Sequence, residues 1–250
     1  MGTSAGGKRP KLIVGINEKT KEVKSGQVDL PEGFTHYILK FDDDSSYPYA
    51  KLEYISYLMA KEAGITMMPS MLKSFGKVSH FLTKRFDRVG NEKIHMQTLA
   101  AMSPLTTTYD GVFEVIRKLN LSYTEVEQHY LRMVFNVMAK NVEDHTKNFS
   151  FLMDREGHWQ LSPAYDLTFS VDLSGYEFYN RHSLLINGKD EGIELSDLLQ
   201  VAKKNGIKNP MALIEQVREA ISQFPRLAKE LGISKSLMEK ITDRFILLTN

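Results

Sequence analysis

An α+β fold, with a small mainly-β N-terminal lobe and a larger, mostly helical C-terminal lobe, follows from three features of the 250-residue sequence. Short apolar runs of strand length, at 12–16, 36–41, 68–73 and 79–86, dominate the first third. From Ser122 onward the apolar residues recur mostly at helical spacing. No internal repeat or low-complexity linker intervenes, so the boundary is expected near residues 88–92, giving domains 1–90 and 91–250.

The chain opens on Gly2-Thr3-Ser4-Ala5-Gly6-Gly7-Lys8-Arg9-Pro10-Lys11, followed at once by Leu12-Ile13-Val14-Gly15-Ile16. Small residues let backbone amides approach an anion, and Lys8, Arg9 and Lys11 supply charge, so a phosphate-cradling loop entering a strand is the functional reading. A strand rather than a helix follows, and no Gly-Lys-Ser/Thr is present, which excludes the Walker A and Rossmann patterns. Composition alone equally fits a disordered, tag-like start. The second strand, His36-Tyr37-Ile38-Leu39-Lys40-Phe41, carries a lysine among apolar neighbours, and an unpaired buried ammonium is costly. Lys40 is therefore expected to hold a phosphate or an acid. A helix over 50–63 follows, with Leu52, Ile55, Leu58, Met59 and Ala63 on one face and Gly64 ending it. Glu53, in its first turn, is either the partner of Lys40 or a solvated surface acid.

Two more strands, separated by a turn at Phe75-Gly76-Lys77, lead to Arg85-Phe86-Asp87-Arg88. The spacing Ser122-x-x-Glu125 is a capping box, and Val126, Tyr130, Met133, Val134, Val137 and Met138 form the apolar face of the helix behind it. A strand pair near 149–153 and 159–161 comes next, then helices over 194–205, 210–230 and 234–248, with breaks at Gly206, Pro210 and Gly232.

The capped helix runs into Asn141-Val142-Glu143-Asp144-His145-Thr146-Lys147-Asn148, and Asp166 stands 18 residues beyond Asn148. An acid, an amide five positions on and a later aspartate reproduce the base, metal and metal spacing of a protein-kinase catalytic loop. Phosphoryl transfer needs a carboxylate to take the proton of the attacking hydroxyl, and Glu143 is the candidate. Mg²⁺ prefers hard oxygen ligands and keeps waters, so Asn148 and Asp166 with phosphate oxygens would complete its site. Lys147 would offset charge on the transferring group. By the same logic the chain leaving the last small-lobe strand, Lys84 to Asp87, would offer backbone groups to adenine and the Asp87 carboxylate to a ribose hydroxyl. Taken alone, 141–148 is also readable as a polar loop between helix and strand.

These segments, with Leu161-Ser162-Pro163-Ala164-Tyr165-Asp166 and His182-Ser183-Leu184-Leu185-Ile186-Asn187-Gly188, together resemble the motif series of HipA-type serine/threonine kinases, toxins of bacterial toxin–antitoxin modules. The resemblance implies a protein-kinase-like fold using ATP and Mg²⁺. It places nucleotide contacts at Ser4, Ala5, Gly6, Gly7, Lys8, Arg9, Lys11, Lys40, Lys84, Arg85, Phe86, Asp87, His145, Lys147, Asn148, Tyr165 and Asp166, with Ser4 as an autophosphorylation site. It further implies an aminoacyl-tRNA synthetase as substrate, and a helix-turn-helix, HipB-like antitoxin as the partner that mediates any DNA contact. Two departures stand out. The family's catalytic aspartate is Glu143 here; Asp144, four residues before Asn148, is the alternative base, and a pseudokinase or a small-molecule phosphotransferase is the rival function. The family's N-terminal subdomain has no counterpart ahead of the Gly-rich loop, which suggests a fragment or a subdomain supplied by a separate chain.

Composition agrees. With 32 basic and 31 acidic residues, the net charge of +1 argues against gripping nucleic acid through its own surface. The absence of cysteine excludes disulfide scaffolds, thiolate metal sites and cysteine nucleophiles. Of the seven histidines only His145 is assigned to the site; His158 and His182 are read as structural. No run approaches 18 apolar residues and no secretory leader pattern opens the chain, so no membrane association and a cytoplasmic location are expected.

Overall fold

The computed structural model describes residues 10–42, 47–173 and 180–248. The chain divides into two compact units, one of 1–54 with 68–95, the other of 55–67 with 96–250.

The first unit is built on a five-stranded antiparallel sheet in the order β2-β1-β3-β5-β4. Its strands are β1 (Lys11–Asn17), β2 (Val23–Ser25), β3 (Phe34–Lys40), β4 (Ser70–Phe75) and β5 (Val78–Lys84). All four predicted strands are present within a few residues of their expected limits. Val14, Tyr37, Leu39 and Leu82 form the buried core, with Leu12, Ile16 and Phe41 packed against it. The β4–β5 turn is two residues long, and Gly76 at its first position has φ +62°, the left-handed backbone that a type II′ hairpin requires there. Gly15 in β1 lies under Leu30; an added Cβ would come within 2.6 Å of Leu30 Cδ1. Leu30 is fixed in turn by a side chain: its amide donates to Asn91 Oδ1 at 2.7 Å, and Asn91 Nδ2 donates to its carbonyl at 2.9 Å. Asn91 sits in the turn between β6 (Arg88–Val89) and β7 (Glu92–Lys93), a short hairpin that directly follows Asp87.

Helix α1 (Tyr49–Glu62) is the predicted 50–63 helix, stopped by Gly64 at φ +75°. Asp42 Oδ2 accepts the Ala50 amide at 2.9 Å near its start.

The second unit centres on α4 (Tyr123–Met138). The capping box closes as expected, with the Ser122 amide donating to Glu125 Oε2 at 2.9 Å. The free oxygen of Glu125 accepts the Leu161 amide at 2.7 Å, so the same cap anchors a strand. The expected single apolar face is wider than the spacing suggested: every residue from His129 to Met138 is buried, including Arg132 and Asn136. A helix enclosed all round is a core helix. Around it lie α2 (Leu99–Met102), α3 (Tyr109–Lys118) and a three-stranded sheet ordered β10-β9-β8, from β8 (His95–Thr98), β9 (Ser150–Met153) and β10 (Trp159–Leu161).

The C-terminal helices differ from expectation in two places. The 210–230 helix is two helices, α6 (Pro210–Ser222) and α7 (Phe224–Glu230), following α5 (Leu195–Lys204). Pro225 removes the amide that would bond the Ile221 carbonyl, and its ring clashes there, so the first helix ends and proline occupies the first turn of the next. The 234–248 helix, α8 (Lys235–Thr242), is shorter. Beyond it the Ile246 amide donates to Met138 O at 3.0 Å, and the Phe245 ring meets Phe169 and Phe224 edge-on, so tertiary contacts replace helical ones. Among the described residues no helix is long and apolar enough to cross a membrane.

Candidate active site

The sequence-predicted residues fall into two groups, one in each unit. Ser4, Ala5, Gly6, Gly7, Lys8 and Arg9 lie outside the described residues.

In the first unit, Lys11 and Lys40 are directly opposed on β1 and β3, so their side chains leave the same side of the sheet. Lys11 is buried, and Lys40 Nζ lies 2.5 Å from Glu53 Oε1, both side chains largely shielded. The structure thus decides between the two readings of Glu53: it is the lysine's partner. Lys40 also sits 5.8 Å from the centroid of the Phe81 ring. Lys84 ends β5, and its amide donates to Pro69 O at 3.0 Å. Arg85 grips Asp87 with two parallel hydrogen bonds, Nε to Oδ1 at 2.8 Å and Nη2 to Oδ2 at 2.6 Å, and Arg88 Nη1 adds a third at 2.7 Å. Burial alone would raise the Asp87 carboxyl; the Arg85 hydrogen bonds and the two arginine charges outweigh it and hold the group below its ordinary value. Asp87 is therefore the centre of an ion-pair cluster immediately after β5. Phe86 occupies the position between the two clamp residues.

In the second unit, α4 ends at Met138, and Lys140 at φ +53° turns the chain into the loop 141–148. Glu143 is exposed, its side chain 67% accessible, with Oε2 3.8 Å from His145 Nε2. Lys147 is exposed too, while His145 and Asn148 are half-buried. Thr146–Asn148 form a single 3₁₀ turn, and Asn148 Nδ2 reaches back to the Glu143 carbonyl at 2.8 Å. Committing Nδ2 in this way leaves Oδ1 as the side chain's acceptor.

The antiparallel hairpin β9–β10, with Leu161 opposite Phe151 and the Ser162 amide on Ser150 O at 2.9 Å, returns the chain to the same end. Tyr165 closes the gap: its hydroxyl lies 2.5 Å from Ser150 Oγ and donates to Lys147 O at 2.7 Å. Burial pushes this phenol up to about 12, with the Ser150 hydrogen bond opposing and the Asp166 charge adding, so it stays a donor at neutral pH. Asp166 follows at φ +57°, a backbone region in which a non-glycine residue is strained. Ser162 O accepts from Arg132 Nη2 at 2.7 Å. Burial lowers this guanidinium to about 10, leaving it protonated.

Asp144 does not serve as the alternative base. Its side chain is fully buried, and its oxygens accept from Tyr109 Oη at 2.7 Å, His182 Nδ1 at 2.8 Å and the Ser183 amide at 2.7 Å. An acid enclosed by three donors is removed from any incoming hydroxyl. His182 is structural, as expected, while His158 is a surface residue whose Nδ1 is 3.1 Å from Asp154. Tyr109 and Ser170 were not anticipated: their loop partners lie 35 and 28 positions away, and long-range hydrogen bonds leave no local signature. Among the described residues no group of three or more His, Asp or Glu could hold a metal unaided. A two-oxygen site completed by phosphates and water is the arrangement Mg²⁺ tolerates.

A lysine–glutamate pair on a β-rich unit, and a buried helix delivering an acid, an amide and a strained aspartate around a hairpin, define a kinase-like α+β fold. The chain belongs to the family of HipA-like C-terminal domains, which it matches over residues 3–245. It is similar to HipA of Shewanella oneidensis, solved in complex with HipB and its operator DNA, at 18% identity and a TM-score of 0.70, covering 96% of this chain and 62% of that one. The proinflammatory kinase CtkA of Helicobacter pylori gives a TM-score of 0.53 at 14% identity, covering 84% and 88%. Two curated relatives are a Haemophilus influenzae protein named "Putative kinase", 28% identical over 201 residues, and "Putative kinase Y4dM" of Sinorhizobium fredii, 26% identical over 153. The matches cover 72% and 56% of this chain but only 55% and 36% of those proteins.

Proposed function

We propose that this chain is the catalytic portion of an ATP- and Mg²⁺-dependent serine/threonine protein kinase, the toxin component of a toxin–antitoxin module. The observation that carries the reading is the hydrogen bond from Asn148 Nδ2 to the Glu143 carbonyl, which ties the candidate metal ligand to the backbone of the candidate base. Glu143, exposed on a fixed loop, takes the proton from the acceptor hydroxyl. Asn148 Oδ1 and the Asp166 carboxylate hold the cation, and Tyr165 keeps their two segments together through Lys147 O. Magnesium, when bound with ATP, neutralises charge on the transferring phosphoryl group. Lys40, oriented by Glu53, holds a phosphate, and Lys147 offsets negative charge near the acceptor. The Lys84–Asp87 segment reads adenine and ribose, and Ser4 is the autophosphorylation site. An aminoacyl-tRNA synthetase is the substrate expected from the family resemblance. A HipB-like antitoxin is the expected partner, supported by the HipB-bound state of the Shewanella neighbour. A near-neutral net charge suits a protein that reaches DNA only through such a partner.

The substitution of glutamate for the family's aspartate favours one rival, a catalytically impaired pseudokinase. Incubating the chain with γ-labelled ATP, Mg²⁺ and cell lysate separates the two. The kinase reading expects label on a protein band and on Ser4, lost by about 100-fold or more in Asp166→Asn. An unlabelled wild type, with Glu143→Asp unlabelled as well, overturns it.

A further inference from the structure

The segment His182-Ser183-Leu184-Leu185-Ile186-Asn187-Gly188 has no part in the chemistry just described, yet its first two residues, His182 and Ser183, bond the loop that bears Glu143. We propose that it is a clamp holding the loop in register, with Asp144, Tyr109, His182 and Ser183 as positioning residues. The consequence for turnover rests on the kinase reading; the clamp itself does not.

Every backbone polar group of Val142 and Glu143 has a partner. The Val142 and Glu143 amides both donate to Ser170 Oγ, at 2.8 and 3.1 Å. The Val142 carbonyl accepts from Ser183 Oγ at 3.0 Å and from the Ser183 amide at 3.2 Å. The Glu143 carbonyl takes Asn148 Nδ2. One position on, the Asp144 carboxylate accepts from three sources on two other segments. Because a carboxylate oxygen only accepts, His182 Nδ1 must carry its proton toward Asp144. Burial, and then the Asp144 charge, raise the Tyr109 phenol well above its ordinary value, so it too remains a donor.

The network extends inward rather than outward. Asn136 Nδ2, on α4, donates to Tyr109 Oη at 2.9 Å; Asn141 Nδ2 donates to Asn136 Oδ1 at 2.9 Å; Ser170 Oγ reaches Asn141 Oδ1 at 3.3 Å. The clamp segment is itself anchored at its start and its middle. The His182 amide donates to Asp190 O at 2.8 Å, and Leu185 exchanges backbone bonds with Thr107 and Tyr109 at 2.9 and 3.1 Å. A buried acid surrounded by polar groups is a poor way to gain stability, since apolar packing of similar volume serves as well or better. A dense polar network, here satisfied at every group named except the buried His182 Nε2, instead specifies one arrangement. Here that arrangement fixes the backbone beneath an exposed carboxylate, so the reach of residue 143 depends on its side chain alone.

The test uses the full chain and the variants Tyr109→Phe, Ser183→Ala and Ser183→Thr, the last keeping the hydroxyl at an exposed position. Hydrogen exchange is followed in peptides covering 141–149 and in α4, and kcat and KM for ATP are measured in parallel. The clamp predicts exchange in 141–149 faster by about tenfold in Tyr109→Phe and Ser183→Ala, with α4 unchanged, kcat down about tenfold and KM for ATP within about twofold. Ser183→Thr behaves as wild type. Wild-type exchange in 141–149 in both Tyr109→Phe and Ser183→Ala overturns the clamp, as does loss of protection spread evenly over α4. If the wild type transfers no phosphate, the kinase reading fails while the exchange experiment still decides the clamp.

Discussion

Position 143 offers the sharpest test of the chemistry, because its backbone is immobilised and its side chain is not. The Glu143 side chain is 67% accessible, and its Oε2 lies 3.8 Å from the His145 ring. Changing it should therefore leave stability almost untouched, since exposed substitutions away from special features stay within about 0.5 kcal/mol. Catalysis should respond quite differently. Glu143→Asp withdraws the carboxylate by roughly 1 Å, and a misplacement of that size alters rates on the order of 100-fold. The loop cannot absorb the change, because both neighbouring amides are held by Ser170 and both carbonyls by Ser183 and Asn148. An aspartate five residues before the asparagine is the spacing that Asp-bearing loops of this kind use, so the expected direction is a gain in kcat. Glu143→Gln keeps shape and loses the proposed base, and is expected to lower kcat by about 100-fold or more. The assay is initial-rate transfer from labelled ATP at saturating Mg²⁺, with KM for ATP and the melting temperature measured on the same samples. A Glu143→Gln enzyme within about threefold of wild type would remove Glu143 from the mechanism.

Two further outcomes follow from the first unit. Asp87 has a depressed carboxyl, so its ion pairs contribute stability above the ordinary value of 3.8 and lose it as pH falls through the lower folded-state value. Acid titration of the melting temperature should show this loss in the wild type and a flattened profile in Asp87→Asn; identical profiles would mean that the arginine cluster is energetically silent. Gly15→Ala drives a methyl against Leu30, within 2.6 Å of Cδ1 and 3.0 Å of Cγ, and should cost about 1–3 kcal/mol, lowering Tm on the order of 5 °C. An unchanged Tm would show that Leu30 moves aside freely.

The parts of the fold that were legible in the sequence are those with local causes. The alternation in β3, the Ser122–Glu125 box and the Gly64 stop each act over a few residues, and each is present. The spacing of residues 143, 148 and 166 was equally readable, and the hairpin and the Tyr165 hydroxyl tie together the segments that carry Asn148 and Asp166. What escaped was decided at long range. Pro225 sits in a helical pattern that the spacing of its neighbours masks, and its missing amide and its ring together divide α6 from α7. Asp144 reads as a spare base beside Glu143, because nothing near it announces donors 35 to 39 positions away. The last residues continue a helical pattern, yet Ile246 bonds the end of α4 instead.

The Asn91 side chain replaces a missing strand partner for Leu30, accepting from its amide and donating to its carbonyl. Two opposite polarities are thus demanded of one planar group, and only a carboxamide carries both on adjacent atoms. The isosteric acid would fit the space and still set oxygen against oxygen at the Leu30 carbonyl. Slow chemical ageing of this one amide would loosen the cover over Gly15 and the tether of the hairpin behind Asp87 together, so an old sample could fray there while its far strands stayed intact.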